Sequence, residues 1–330
     1  MNILVTGGAG YIGSHTVRRL TRDGHRPVVY DNLVTGHAAA VTGQTFVAGD
    51  LFDRERLQAV LRQEDIGAVV HFAAFSQVGE SMDQPARYYG NNVAGTLCLL
   101  DSMLATGVKK LVFSSTAAVY GEPEASPITE ECGKNPTNVY GRTKLMMENV
   151  MADYSRAYGL NYVALRYFNA CGADPAGDIG EDHRPETHLI PLVLQACLGQ
   201  RNSIKIFGDD YPTRDGTCVR DYIHVNDLAQ AHCLALDRLN AGNGSGVYNL
   251  GNGGGFTVQE IVTAAEAVTG ITITREITGR RAGDPALLVA GAEKARRELG
   301  WQPEFPHIQE ILQTAWRWHQ NHPRGYETPE

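Results

Sequence analysis

Tyr140 and Lys144 stand four residues apart in the segment Tyr140-Gly141-Arg142-Thr143-Lys144. A phenol and an ammonium at that spacing share one face of a helix and can act on the same proton. A free tyrosine titrates near pH ~10, so holding it as a base at neutrality takes a shift of roughly three units, or about 4 kcal/mol in favour of the phenolate. A cation one turn away supplies part of that shift. Val139, Leu145, Met146, Val150, Met151 and Tyr154 recur at helical spacing and Gly159 follows them, so the pattern predicts a helix from Val139 to Tyr158. The pair alone is weak evidence. With 14 tyrosines and 6 lysines in 330 residues, about one chain in four of this composition holds such a pair by chance.

The elements that would position this pair occupy the preceding 140 residues. Ile3-Leu4-Val5 reads as a buried strand and runs into Thr6-Gly7-Gly8-Ala9-Gly10-Tyr11-Ile12-Gly13, with a helix-like stretch from Ser14 to Asp23 behind it. Gly8-x-Gly10-x-x-Gly13 fits the dinucleotide fingerprint, and Gly7-x-x-Gly10-x-x-Gly13 fits its short-chain-dehydrogenase variant. Strand, glycine turn and helix start bring backbone N–H groups and a helix N-terminus to a pyrophosphate. A second strand, Val28-Val29-Tyr30, ends in Asp31, where an acidic residue accepts hydrogen bonds from an adenosine ribose. Its charge repels a 2′-phosphate, and no arginine lies between Asp31 and Gln44 to offset it, so the reading is NAD and not NADP.

A third strand, Thr45 to Gly49, ends in Asp50-Leu51, which places Asp50 either at the adenine or at the N-cap of the next helix, Arg54 to Arg62. A fourth, Ala68 to Phe72, is followed by Ala73-Ala74, small residues that let a cofactor approach the backbone. A long helix comes next, with Asn91-Asn92 near its start and Leu97, Leu99, Leu100 and Met103 as its core face. The fifth strand, Lys110 to Phe113, ends in Ser114-Ser115-Thr116. Repeated strand–helix alternation specifies a parallel, doubly wound sheet with ligands beyond the strands' C-terminal ends. Thr116 therefore stands on that rim, either beside the reacting group or capping its own turn. Gly121 to Pro136 reads as a polar surface loop, and a further strand spans Tyr162 to Phe168.

From Asn169 the alternation loosens, giving a first domain over 1–170 and a smaller mixed α/β domain over 171–330, with segments near 225–250 open to returning to the first. Helices are expected at Leu189–Leu198, Val225–Leu239, Val258–Val268 and Ile308–His319, and strands at Ile204–Phe207, Val247–Leu250 and Ile271–Thr274. Arg220 and the Arg280-Arg281 pair suit an anionic ligand, and Asp284 suits a polyol such as ribose. A net charge of −8 without any Lys/Arg block excludes a nucleic-acid partner. The six cysteines show no Cys-x-x-Cys, and His183 and His188 sit five apart in a proline-bearing loop, a poor spacing for zinc, so no metal is expected. No run of 18 apolar residues occurs and no leader-like segment precedes Ile3, so the expectation is a cytoplasmic enzyme without a membrane partner.

With Thr6 to Gly13, Asp31-Asn32, His71 to Ala74, Ser114 to Gly121, Tyr140 to Lys144, Arg166 to Asn169, Val219 to Val225 and Arg280-Arg281-Ala282-Gly283-Asp284 in this order, the chain closely resembles the UDP-glucose (UDP-galactose) 4-epimerase family of extended short-chain dehydrogenase/reductases. The resemblance runs on to Leu299-Gly300-Trp301. It implies a Rossmann domain holding NAD tightly, through Tyr11, Ile12, Asp31, Asn32, Asp50, Leu51, Phe72, Ala73, Asn91 and Phe168 beside the glycines and Ala74. It implies Thr116, Tyr140 and Lys144 as the catalytic residues, and Asn169, His188, Leu189, Phe207, Arg220, Arg281, Asp284 and Leu288 at the nucleotide sugar. Arg220 and Arg281 would take the diphosphate and Asp284 the uridine ribose. A homodimer through the helices holding Asn92–Met103 and Tyr140–Tyr154 is implied as well.

The best-known bacterial members carry lysine where this chain has Ser76, asparagine where it has His188 and tyrosine where it has Leu288. The last position borders the sugar 2-substituent, so leucine implies room for UDP-N-acetylhexosamines. A dehydratase or decarboxylase would need an acid or base beside Thr116, where Ala117-Ala118 stand. A silent NAD-binding protein would lack the tyrosine or the lysine, and both are present. A pentose-nucleotide 4-epimerase stays open.

Overall fold

The computed structural model describes residues 1–123, 125–281 and 284–327, so Ala282 and Gly283 of the Arg280–Asp284 motif lie outside the described residues. Seven strands form one parallel sheet: β1 (Asn2–Thr6), β2 (Arg26–Asp31), β3 (Thr45–Ala48), β4 (Ala68–His71), β5 (Lys110–Thr116), β6 (Asn161–Tyr167) and β11 (Gly246–Leu250). Their spatial order is β11-β6-β5-β4-β1-β2-β3, so the chain reverses direction across the sheet between β1 and β4. Ligands of such sheets sit at that reversal, beyond the carboxyl ends.

Side-chain alternation explains why these strands are apolar throughout. Ile3 and Val5 enter one core with Leu20, Leu236 and Trp301, while Leu4, between them, enters the other with Leu57, Leu99 and Met151. Both faces are covered by helices, α1 (Tyr11–Arg22) and α8 (Val225–Asn240) on the first, and α2 (Arg54–Gln63), α5 (Gly95–Thr106) and α6 (Val139–Tyr158) on the second. Fully burying each such Leu, Ile or Val stabilises the fold by roughly 1.5–3 kcal/mol relative to exposure.

Several boundaries differ from the sequence reading. β5 continues through Ser114-Ser115-Thr116, because Thr116 still pairs with Tyr167 of β6. The segment before α5 is broken into α3 (Val78–Asp83), α4 (Pro85–Tyr88) and a wide π turn at Tyr89–Ala94. The loop 121–136 is not wholly superficial: Ile128 is fully buried, and its N–H and C=O pair with Val289 O at 2.8 Å and Gly291 N at 2.7 Å.

The second region carries β7 (Asn169–Cys171), α7 (Leu189–Cys197), β8 (Ile204–Phe207), β9 (Val219–Arg220), β10 (Tyr222–His224), β12 (Phe256–Thr257), α9 (Val258–Thr269), β13 (Arg275–Thr278), β14 (Leu287–Leu288), α10 (Glu293–Leu299) and α11 (Ile308–Asn321). α7, α9 and α11 close a third core around Val193, Ile261 and Ile311. The expected strand at Ile271–Thr274 is displaced to Arg275–Thr278, which pairs with β8 in register. Ile273 N–H bonds instead to the Glu266 carboxylate at 2.9 Å, which takes it out of the ladder.

Candidate functional site

Gly7 begins the site. Its backbone is left-handed, with φ of +69°, and a Cβ there would meet Ala73 N at 2.5 Å. At Gly13 a Cβ would meet Gly7 O at 2.2 Å, so only glycine lets α1 start against the turn from β1. Asp31, at the end of β2, is buried, and its two oxygens accept from Ala9 N at 3.0 Å and Leu33 N at 2.8 Å. Burial raises its pKa and these two N–H groups pull it back. Each oxygen keeps a further lone pair for a diol. Asp50 accepts from Asn32 Nδ2 at 2.8 Å and Phe52 N at 3.0 Å. The N-cap role open to Asp50 belongs to Asp53, which accepts from Arg56 N. Small-residue turns, free amides at a helix start and a buried carboxylate at the next strand end fit a dinucleotide's pyrophosphate and ribose.

The remaining predicted cofactor residues border this groove in different ways. Ala73 N donates to Thr6 O at 3.1 Å, and Ala74 continues that half-buried turn. Phe72 sets its ring at a tilt against His232, centres 4.6 Å apart, and Ile12 and Leu51 pack into the two cores. Tyr11 reaches across to the second region, donating to Gly172 O at 2.6 Å. Asn91 donates to Asn92 Oδ1, while Asn92 bonds Phe75 and Thr143 and so ties α6 to the turn after β4.

α6 lies close to the end of β5 because Gly141 permits it: a Cβ there would meet Ala118 O at 2.5 Å. Asn138 caps the helix by accepting from Gly141 N at 2.8 Å, and Tyr140 N donates to Ser81 Oγ at 3.1 Å. Thr116, the last residue of β5, accepts from Ala118 N at 3.1 Å, which is the turn-capping role open to it. Lys144 Nζ donates to Ser114 O at 2.8 Å and lies 5.9 Å from the centre of the Tyr140 ring.

Burial pushes the Tyr140 phenol up to about 12, with the Thr116 hydroxyl opposing it, and burial drives Lys144 down to about 7 against the charge of Glu148. Keeping the phenolate at pH 7 therefore takes roughly 7 kcal/mol in this setting, more than the free residue requires. A protonated Lys144 beside the ring favours the phenolate, and so would any further positive charge bound next to the phenol.

Glu148 escaped the sequence reading. It continues the Tyr140, Lys144 series at i+4, and that repeat is the signal that could have found it. Its buried carboxylate accepts from Arg166 Nε at 2.9 Å and Ser115 Oγ at 2.5 Å, and Arg166 Nη1 donates to Tyr120 Oη at 2.8 Å. A second buried chain, Thr6 Oγ1 to His71 Nδ1 at 2.6 Å and His71 Nε2 to Thr96 Oγ1 at 2.8 Å, joins β1, β4 and α5. Burial lowers His71 to about 3, so it stays neutral.

Beyond the sheet, Arg220 pairs with Asp284 at 3.2 Å and donates to Pro285 O at 2.8 Å. Arg281 lies over the Phe207 ring at 4.1 Å, whereas Arg280 is engaged with Asp210 and Tyr211 and is not part of this group. Leu288 stands opposite Arg220 in the β14–β9 ladder and packs with Phe168 and Leu145 against Val119, Tyr120 and Ile128. Asn169 donates to Asp221 O at 2.8 Å, and Leu189 opens α7. His188 immediately precedes Leu189 at the start of α7, with its Nδ1 turned to Glu181 and Glu186.

The NAD dependent epimerase/dehydratase family matches residues 3–251. A UDP-glucose 4-epimerase from Halalkalibacterium halodurans is 56% identical over 99% of this chain and 98% of its own length. The chain belongs to the UDP-glucose 4-epimerase family. A crystal structure of a UDP-glucose 4-epimerase superposes with a TM-score of 0.98 at 56% identity, covering 99% of this chain and all of that one. The Bifidobacterium longum UDP-glucose 4-epimerase, solved in complex with NAD+ and UDP, superposes with a TM-score of 0.93 at 39% identity over 99% of this chain and 100% of its own. The doubly wound sheet is therefore the fold of the NAD-dependent epimerases. Among the described residues no helix is long and apolar enough to cross a membrane.

Proposed function

We propose that this protein interconverts UDP-glucose and UDP-galactose by inverting C4 of the hexose, with NAD as resident cofactor. The observation that carries the reading is the convergence of Tyr140, Lys144 and Thr116 at the carboxyl end of β5, on the same rim as the Gly7–Gly13 turn and Asp31. Bound NAD takes a hydride from C4 and returns it to the opposite face of the 4-keto sugar, which is why none is consumed. Tyr140 removes the 4-OH proton and gives it back, and Thr116 hydrogen-bonds the reacting oxygen. Lys144, anchored on Ser114 O, holds the phenolate charged, and the buried charge of Glu148 favours the protonated lysine. Arg220 and Arg281 grip the diphosphate and Asp284 the uridine ribose, while the pyranose, held by fewer contacts, turns over between the two hydride steps. Incubating the protein with UDP-galactose, without added cofactor, and resolving UDP-glucose tests this; no conversion even with NAD supplied would remove the hexose reading.

Leu288 favours a wider sugar specificity. It sits half-buried at the edge of the Val119–Tyr120–Ile128 cluster, beside Phe168, where a tyrosine ring would occupy more of the space next to the sugar. Wild type is expected to epimerise UDP-GalNAc as well as UDP-galactose, and Leu288→Tyr to lose the former by about 10-fold or more while keeping the latter. Equal rates on UDP-GalNAc before and after the substitution would contradict this.

The reading includes a homodimer through α5 and α6. Met146 is 46% exposed on α6, and Leu97, Val150 and Tyr154 are only half-buried, which leaves an apolar face for a second copy. Sedimentation should give twice the 35.9 kDa of the chain, and a monomer at micromolar concentration would refute it. All six cysteines are free, which supports a reducing compartment and hence the cytoplasm.

A further inference from the structure

The loop between β7 and α7 carries Glu181, His183 and Glu186, which have no part in the chemistry above, and folds them onto His188. One ligand atom from each lies within 4.8 Å of all the others. His183 Nδ1 is 3.1 Å from Glu181 Oε1 and 3.7 Å from Glu186 Oε2, and His188 Nδ1 is 2.9 Å from Glu181 Oε1 and 3.0 Å from Glu186 Oε1. An imidazole Nδ1 carries at most one proton, yet each of these faces two carboxylate oxygens. One-to-one hydrogen bonding does not explain that arrangement. Convergence on a shared centre does. A tetrahedral ion with ligands at about 2.0–2.2 Å spaces its donor atoms roughly 3.3–3.6 Å apart; with Glu181 Oε1 and Glu186 Oε2 as donors, the 3.1 and 3.7 Å to His183 lie on either side of that figure and the 2.9 Å from His188 to Glu181 lies just below it.

The five-residue spacing of the histidines argued against a shared ion; the turn through Arg184-Pro185 brings both Nδ1 atoms to one side and adds the two carboxylates. Those carboxylate side chains are only 5% and 7% exposed, while the His188 side chain is 45% exposed and leaves a way in. The surroundings also fix the donors. Glu186 Oε1 accepts from Thr187 N at 2.7 Å and His188 N at 2.8 Å, and Trp318 Nε1 donates to Glu181 O at 3.0 Å.

We propose that Glu181, His183, Glu186 and His188 form a structural Zn2+ site. Two imidazoles and two carboxylates are zinc donors, and four protein ligands leave no open position for chemistry. Two carboxylates and a divalent ion sum to zero charge with neutral imidazoles, which limits the penalty of burial. The site ties the loop to the cofactor end of α1, where the Tyr11 ring meets His183 edge-on at 6.1 Å, and to the start of α7 at Leu189. The proposal does not depend on which sugar the enzyme takes.

The test is titration of chelator-stripped, full-length protein with ZnCl2 in competition with a chromogenic chelator, with Co2+ substituted in parallel. Wild type should take up one equivalent per chain, and Co2+ should give the intense visible bands of a four-coordinate site. His183→Gln with Glu186→Gln should weaken binding by roughly 100-fold or more, the upper end of what even outer-sphere partners contribute. His183→Cys keeps a zinc ligand, so it should retain binding and add a thiolate-to-cobalt charge-transfer band, which no merely structural role predicts. Failure of wild type to bind one equivalent, unchanged binding in the folded double variant, or no charge-transfer band in His183→Cys would each overturn the site.

Discussion

Tyr140→Phe is expected to lower kcat for UDP-galactose by roughly 1,000-fold, within the span of about 100- to 10,000-fold that a positioned acid–base group contributes. Phenylalanine keeps the ring that packs among Tyr88, Val139 and Phe75, so the loss should fall on the chemical step and leave folding and cofactor retention intact. The hydroxyl removed belongs to the ring whose centre lies 5.9 Å from Lys144 Nζ. The pH profile separates this from a packing effect. Wild-type rate should fall toward acid as the phenolate takes up its proton, because a base works only when unprotonated, and the residual rate of Tyr140→Phe should lack that limb. Single-turnover kinetics at saturating substrate measure both. A loss smaller than about tenfold would move the base to another residue.

Arg166→Leu should be the most damaging single change to stability. Arg166 is 2% exposed, and it forks onto Glu148 while reaching Tyr120, whose hydroxyl donates to Asn249 Oδ1 at 2.7 Å. Removing the guanidinium leaves the Glu148 carboxylate buried and short of its main partner, a break that costs about 3–5 kcal/mol. Over 330 residues that corresponds to a fall in Tm of roughly 4–7 °C. Glu148→Leu combined with Arg166→Leu should recover much of this, since the unpaired charge is then gone. Calorimetry on the three proteins decides; a single-variant loss below about 1 kcal/mol would mean that the pair is solvated in solution.

Much of the fold was legible because the first half obeys local rules. β1, the glycine turn and α1 are written in contiguous residues, and each strand's apolar run is bounded by the small or acidic residues that end it. α6 could be placed to the residue because the apolar spacing and Gly159 agree, and the structure adds Asn138 as the cap at its start. The reading faltered where distant partners decide. β5 runs three residues further than its apolar core because β6 offers Leu165, Arg166 and Tyr167 as partners, and Ser114-Ser115-Thr116 carry no strand signal of their own. Ile128 looked like part of a surface loop until β14's continuation closed over it. Glu148 and the quartet around Glu181 belong to the same class. Their meaning lies in what the fold sets beside them, Lys144 and Arg166 in one case and His183 with His188 in the other. Arg280 and Arg281 make the point in reverse, adjacent in sequence but facing Asp210 and Phe207 respectively.

The central claim is that C4 is oxidised and reduced by one bound cofactor without exchange. UDP-galactose deuterated at C4 should be incubated with the purified protein in ordinary water, with no cofactor added, and the UDP-glucose formed examined for label at C4. The account predicts conversion with essentially all deuterium retained at C4, because the same hydride leaves and returns. UDP-glucose carrying hydrogen from solvent at C4 would contradict it, since that outcome requires removal of the C4 hydrogen as a proton.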